Sequence, residues 1–189
     1  MRVPTGKVAI SFFAVLTMAA VMGAAEPIPK VLTQAKLDRF LAEMDTVMAN
    51  EAVSAAWEGA VQSASMEAVM NPNSNFGNLS PVAATYTILN GARVRIKTDA
   101  GINTELQRLG WTSEFWDVYV AMAIGIHYAS VIDFNKRMAA EGAQAGPVDT
   151  GLPPIDPFMH KDDFALLQEN YQRIFAAIGE ELARQNGFQ

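Results

Sequence analysis

The sequence contains no cysteine and only two histidines among its 189 residues. The absence of thiols excludes a disulfide-stapled fold, a cysteine-ligated zinc or iron–sulfur centre, and haem or lipid attached through cysteine. Charged residues are sparse, at 18%, and the formal net charge is −6. An acidic chain does not bind nucleic acid or an anionic membrane surface through charge. Half of the residues are hydrophobic, which is typical of one ordinary globular domain.

Signature motifs of common enzyme classes are also missing from the sequence. It contains no phosphate loop, dinucleotide fingerprint, H-E-x-x-H motif, EF-hand loop or G-x-S-x-G motif. The candidate acid–base groups are Glu43, Glu51, Asp117 and Asp133, but nothing in their spacing places two of them in one cleft. We therefore assign no catalytic residue and no cofactor. A non-catalytic role is favoured, and an enzyme of unknown type is the alternative.

The N-terminus has the three-part pattern of a secretory signal peptide. Arg2 and Lys7 provide positive charge, residues 8–22 are uncharged, and small residues at 23–25 suit a signal peptidase. The apolar run is shorter than the roughly 20 residues that span a bilayer, although an uncleaved anchor is the alternative. We predict removal of residues 1–25, a single helical domain over 26–189, a periplasmic or secreted location, and no stable membrane insertion after cleavage.

Apolar residues recur at helical spacing through most of the remaining chain. We expect one or two helices over 33–70, with a break at Asn50, and further helices over 102–109, 113–140 and 161–185. Residues 118–132 carry no charge, and such a helix must be surrounded by protein or by a second subunit. The sequence therefore predicts an all-α fold, a small helical bundle of four to six helices around a buried central helix.

Two regions leave the local structure open. Residues 85–98 contain Asn90-Gly91, a hairpin signal, but they also carry a helical apolar stripe, which we favour over a short β-hairpin. Residues 141–159 form a long connection rich in proline and glycine. A connection of this length is either a functional loop, such as a lid or docking arm, or a flexible linker.

The candidate ligand-binding residues are His127, Trp57, Trp116 and Tyr119. His127 stands alone in the apolar centre of the central helix, where it is either a ligand-binding group or a buried, hydrogen-bonded histidine. The aromatic residues either pack in the core or line a pocket between helices, where helical domains place ligands.

A second candidate is a copper site built from Met44, Met48, His127 and His160. Thioether and imidazole groups are suitable ligands for Cu(I), and an exported protein can meet that ion. The alternative is that the methionines fill gaps in the core and His160 lies just outside a helix start.

Positive charge is concentrated at Arg93, Arg95 and Lys97, with Arg108 further along the chain. This cluster is either an anion or acidic-partner site or an ordinary solvated face.

The sequence as a whole favours an exported, non-catalytic helical domain that binds an envelope protein or a small apolar ligand. A homodimer is a further option, because one face of the central helix would then be a subunit interface. A protein-binding role predicts an exposed apolar patch. A ligand-binding role predicts a cavity near His127 and the tryptophans.

We expect the exported protein to begin at Glu26, because the small residues before it meet the requirements of signal peptidase. Intact-mass measurement of protein purified from cells that express the full chain tests this. A mass that retains residues 1–25 would contradict the prediction.

Overall fold

The computed structural model describes residues 29–71, 78–140, 155 and 158–177, and this part of the chain is mostly helical with no β-strand. The predicted all-α class is therefore confirmed for these residues. Six helices follow one another in this part of the chain: α1 Gln34–Met48, α2 Glu51–Met70, α3 Pro81–Lys97, α4 Ala100–Arg108, α5 Glu114–Ala140 and α6 Lys161–Glu169. A further helical segment, α7, covers 171–177.

Side-chain caps set the helix starts where the sequence predicted them. The Thr33 hydroxyl accepts a hydrogen bond from the Lys36 amide, and Ser80, followed by Pro81, caps α3 in the same way. The Asn50 side chain accepts from the amides of Ala52 and Val53, so it begins α2. The region 33–70 is thus two helices, because Asn50 satisfies the amides of a new helix start.

Residues 81–97 form helix α3, so the hairpin alternative for 85–98 does not describe these residues. Gly91 sits inside the helix and faces α2 rather than forming a turn. A Cβ placed on Gly91 would lie 3.2 Å from the Cβ of Ala64. Buried Ala60, Ala64 and Ala68 lie at i,i+4 spacing on α2. Gly91 therefore allows the two helices to pack closely, and this packing outweighs the lower helix propensity of glycine.

The end of α4 is capped by a glycine in the left-handed conformation. Gly110 has φ 81°, its amide donates to Gln107 O, and the Trp111 amide donates to Leu106 O, the pattern of a Schellman cap.

The Trp111 side chain ties this turn to α1. The Arg39 guanidinium lies 4.2 Å from the Trp111 ring centroid. Glu43 accepts from Arg39 Nε at 3.0 Å and from Trp111 Nε1 at 2.8 Å. The two donors and the carboxylate satisfy one another, so the network fixes the α4–α5 turn against the first helix.

Helix α5 is the buried central helix. Helices α3 and α6 pack on it most extensively, and α1 also contacts it. Its buried apolar residues are Phe115, Trp116, Val118, Tyr119, Val120, Ala121, Met122, Ile124, Tyr128 and Ala129. Within the described residues, Glu114–Asp133 is long and apolar enough to cross a membrane, although 67% of its most apolar window is buried inside the protein. The buried core helix of a protein meets the same criterion by length and composition alone.

A glycine in α5 allows α6 to approach. A Cβ placed on Gly125 would overlap Leu167 Cδ1 and would lie 3.5 Å from Met159 Cε. Leu167 and Met159 are buried. The two helices can therefore pack this closely only because residue 125 has no side chain.

The first described residues are bonded to the start of α6. The Asp163 carboxylate, which is fully buried, accepts hydrogen bonds from the amides of Val31 at 2.8 Å and Leu32 at 3.1 Å. Lys30 pairs with Asp162, and this contact raises the pKa of the lysine and lowers that of the aspartate. The segment before α1 is thus part of the fold and not a free leader.

The predicted long connection ends inside the core, because Phe158 and Met159 are buried. Residues 141–154 lie outside the described residues, so its interpretation as a lid or docking arm stays a prediction.

The predicted single helix over 161–185 is wrong in one respect, because it is interrupted at Asn170. The Asn170 side-chain amide donates to Leu166 O and also bonds with Gln34 of α1. Asparagine competes in this way with helical backbone bonds, and α7 begins at the next residue.

We expect Gly125→Ala to lower the free energy of unfolding by about 1–2 kcal/mol, because the added methyl group would displace Leu167. Gly59→Ala is the matched control, since no atom lies within 4 Å of its Cβ position. This control should raise stability by about 1 kcal/mol through helix propensity alone. Urea unfolding measures both, and equal effects in the two variants would contradict the packing explanation.

Candidate functional site

The predicted aromatic ligand site is a packed cluster of side chains. The rings of Trp57 and Trp116 stack with centroids 4.9 Å apart and planes 7° apart. Tyr119 meets the Trp57 ring edge-on at 5.0 Å, and all three residues are buried. Burial raises the pKa of Tyr119, against a smaller opposing hydrogen bond with Trp57. The rings cover one another, so their large apolar surface contributes to the core.

His127 is separated from these rings along the same helix. It follows Trp116 by eleven residues, which places their Cα atoms about 16 Å apart along α5. Its side chain is half-buried, and this burial lowers its pKa. The structure thus brings Trp57, Trp116 and Tyr119 together, but it does not place His127 with them.

The predicted copper ligands lie on three different elements. Met44 and Met48 are on α1, where Met48 is buried in the core and Met44 packs against it. His127 is in the middle of α5, and His160 caps α6 by accepting a hydrogen bond from the Asp162 amide at Nδ1. Among the described residues, no group of three or more histidine, aspartate or glutamate residues could hold a metal ion. Copper binding through methionine and histidine stays a prediction.

Three of the four candidate acid–base carboxylates are engaged by cationic side chains. Glu43 is held in the Arg39–Trp111 network, and Asp133 pairs with Arg137 at 2.7 Å, one turn along α5 as expected. The third is Asp117, which is buried.

The two cations that face Asp117 come from α3. Arg93 Nη1 donates to Asp117 Oδ1 at 3.0 Å, and Lys97 Nζ donates to Oδ1 at 2.8 Å and to Oδ2 at 2.6 Å. Arg93 is buried, whereas the Lys97 side chain is one-third exposed. We call these three residues the buried ion cluster. It joins α3 to α5 and places two positive charges beside one negative charge.

The predicted basic cluster is therefore divided between different partners. Arg95 lies between Arg93 and Lys97 in sequence but on a different side of the helix, where it pairs with Glu67 of α2 at 2.7 Å. Arg108 pairs with Glu105. Each of these four cations has a carboxylate partner, and only the Arg93–Lys97 face is buried. The role of Asp117 was not predicted from the sequence. Two features of the sequence could have indicated this role. Asp117 is the last charged residue before an uncharged stretch, and two cations, Arg93 and Lys97, lie at i,i+4 spacing earlier in the chain.

Among the described residues, four buried side-chain atoms lack hydrogen-bond partners: Arg93 Nε of the buried ion cluster, Asn90 Oδ1, Trp116 Nε1 and Asn103 Oδ1. Unsatisfied buried atoms cost free energy. The buried ion cluster therefore depends on the Asp117 carboxylate to offset this cost.

A groove of about 180 Å³ runs between α5 and the α6–α7 segment. It is smaller than the roughly 300–1,000 Å³ of typical ligand sites, and its walls mix charges of both signs. The residues that line it are Ala129, Ile132, Asp133, Lys136, Gln168, Glu169, Tyr171 and Gln172.

Large apolar side chains are exposed at the end of α2. Met66, Val69 and Met70 are 55%, 62% and 78% exposed, and their spacing puts them on one side of the helix. Val94 on α3 and Phe175 on α7 are the other exposed large apolar residues among those described.

Comparison with known proteins returned no match: no family model, no curated protein and no solved structure is significantly similar to this chain.

We expect Asp117→Asn to lower the free energy of unfolding by about 3–5 kcal/mol, because it leaves the buried Arg93 without its counter-charge. Asp133→Asn is the control, since its partner Arg137 is largely exposed. This control should cost less than about 1 kcal/mol. Chemical denaturation of both variants provides the comparison, and a cost for Asp117→Asn as small as the control's would disprove the structural importance of the cluster.

Proposed function

We propose that this protein is an exported, non-catalytic helical bundle, built around α5, that acts by binding another protein. Export rests on the predicted leader over 1–25, and it places the mature protein in the periplasm or outside the cell. The binding surface that we propose is the solvent-exposed side of α2. We call it the α2 outer face, and its residues are Ala52, Ala55, Gly59, Gln62, Met66, Val69 and Met70.

The observation that carries the proposal is the exposure of Met66, Val69 and Met70 together on two successive helical turns. Single exposed apolar residues are normal on proteins, but a contiguous group typically marks an interaction site. Methionine favours such a role because its flexible, polarisable side chain adapts to a partner surface.

Two further observations favour a protein partner over a small apolar ligand. Trp57 and Trp116, which were candidates either for core packing or for lining a ligand pocket, stack on each other. The groove beside α5 is small and is lined by charged and amide side chains, which do not suit an apolar molecule. The seven residues of the α2 outer face, in contrast, are exposed and uncharged, and the exposed glutamates of this helix, Glu51, Glu58 and Glu67, lie beside them.

A photo-reactive amino acid at position 70 tests the proposed surface in cells that export the protein. We expect a covalent adduct with another polypeptide chain, because a bound partner would cover this side chain. The matched control is the same group at Phe175, which is exposed and apolar but lies on α7. The adduct should form at position 70, should not form at position 175, and should be lost when Met66→Glu is added.

Absence of any adduct at position 70, or equal labelling at both positions, would contradict the proposed binding surface.

A further inference from the structure

The spacing of the α2 outer face is that of a coiled-coil seam. Six of its residues follow one another at alternating steps of three and four: Ala52, Ala55, Gly59, Gln62, Met66 and Val69. Such spacing places side chains at the a and d positions through which two helices pack. All six are exposed. The structure therefore presents a seam for a second helix that no described part of the chain occupies.

The centre of this seam is open. Gly59 lies in the middle of α2, and no atom is found within 4 Å of its Cβ position. A glycine inside a helix costs about 1 kcal/mol relative to alanine. Gly91 and Gly125 each accommodate a neighbouring helix, whereas Gly59 accommodates none within the described protein.

We propose that the α2 outer face binds the same face of a second copy of this chain, with the two helices antiparallel. This inference rests on the proposed binding function of the face and names its partner. In an antiparallel pair, the a position of one helix lies opposite a d position of the other. Gly59 then meets Gln62, Ala55 meets Met66, and Ala52 meets Val69.

Each of these layers joins a small residue to a larger one, so the face is complementary to itself. The small half of the seam, Ala52 to Gly59, receives the large half, Gln62 to Val69. A parallel pair would instead place Met66 on Met66 at one end and Gly59 on Gly59 near the centre. It would be too wide where methionine meets methionine and empty where glycine meets glycine. A self-complementary patch is what a two-fold symmetric dimer requires.

The charges beside the seam permit this arrangement. The chain carries a net charge of −6, so two copies repel unless they meet through an uncharged face. The α2 outer face supplies such a surface. Glu58 borders the seam, and in the antiparallel pair it comes closest to Ser65 of the other copy. The two Glu58 side chains lie further apart along the helices, so no like charges face each other.

The size of the face sets the strength of the association. A 20-residue helix is about 30 Å long and about 10 Å wide, so each copy would contribute roughly 300 Å². The total is below the roughly 1,200 Å² at which stable, specific interfaces begin, in the range of weak, transient ones. We therefore expect a weak dimer whose population rises with protein concentration, rather than an obligate one.

Disulfide trapping tests the register, since the chain has no cysteine of its own to interfere. Single variants Ala55→Cys and Met66→Cys, made in the full chain, are purified, mixed and oxidised. We expect the mixture to form at least ten times more linked dimer than either variant alone. Two copies of residue 66 would lie about 16 Å apart along the pair, too far for a disulfide. Gln107→Cys, on the exposed side of α4, should remain monomeric.

A charge swap provides the second measurement. Met66→Glu should shift the average mass at high protein concentration back to that of one chain, as light scattering reports. Ala55→Lys added to the same chain should restore the dimer, because the two positions lie opposite each other. A single-chain mass at every concentration, or efficient self-linking of Met66→Cys, would overturn the antiparallel dimer.

Failure of this inference is distinguishable from failure of the proposed function. A position-70 adduct with a different protein, without any linked dimer, would keep the binding surface and overturn the second copy as its partner. An adduct with the mass of two chains supports both. No adduct and no dimer would overturn both.

Discussion

Residues 118–132 of α5 carry no charged side chain, so this helix is stable in water only where other parts of the chain cover it. Helices α1, α3 and α6 provide that cover, and specific contacts position two of them. Gly125 admits α6, and the buried ion cluster attaches α3 at Asp117, just before the uncharged stretch begins. Hydrophobic burial supplies most of the driving force, whereas these two contacts fix the positions of the neighbouring helices.

Local features of the fold were predictable because their physical causes lie within a few residues. A hydroxyl before a helix, as at Thr33 and Ser80, satisfies amides three residues away, and the left-handed cap at Gly110 depends only on its own turn. The interruption at Asn170 was missed because a helical stripe continues across it. The Asn170 side chain also bonds to Gln34 of α1, and this contact with a residue far away in sequence is not visible in the local pattern.

The functional candidates were harder to predict, because they depend on which surfaces meet. Trp57 and Trp116 look the same in sequence whether their rings stack on each other or surround a ligand. Asp117 lies 24 residues from Arg93, so no helical spacing connects them. The α2 outer face was not predicted from the sequence. Its exposure depends on α3 and α4 packing against the opposite side of α2.

The attachment of Val31 and Leu32 to the buried Asp163 joins segments that lie 132 and 131 residues apart in sequence. These contacts cannot form before the chain through Asp163 is available. If the protein is exported as we propose, the amides of 31 and 32 cross the membrane before their acceptor does. This part of the fold then closes only after the segment that carries Asp163 has crossed.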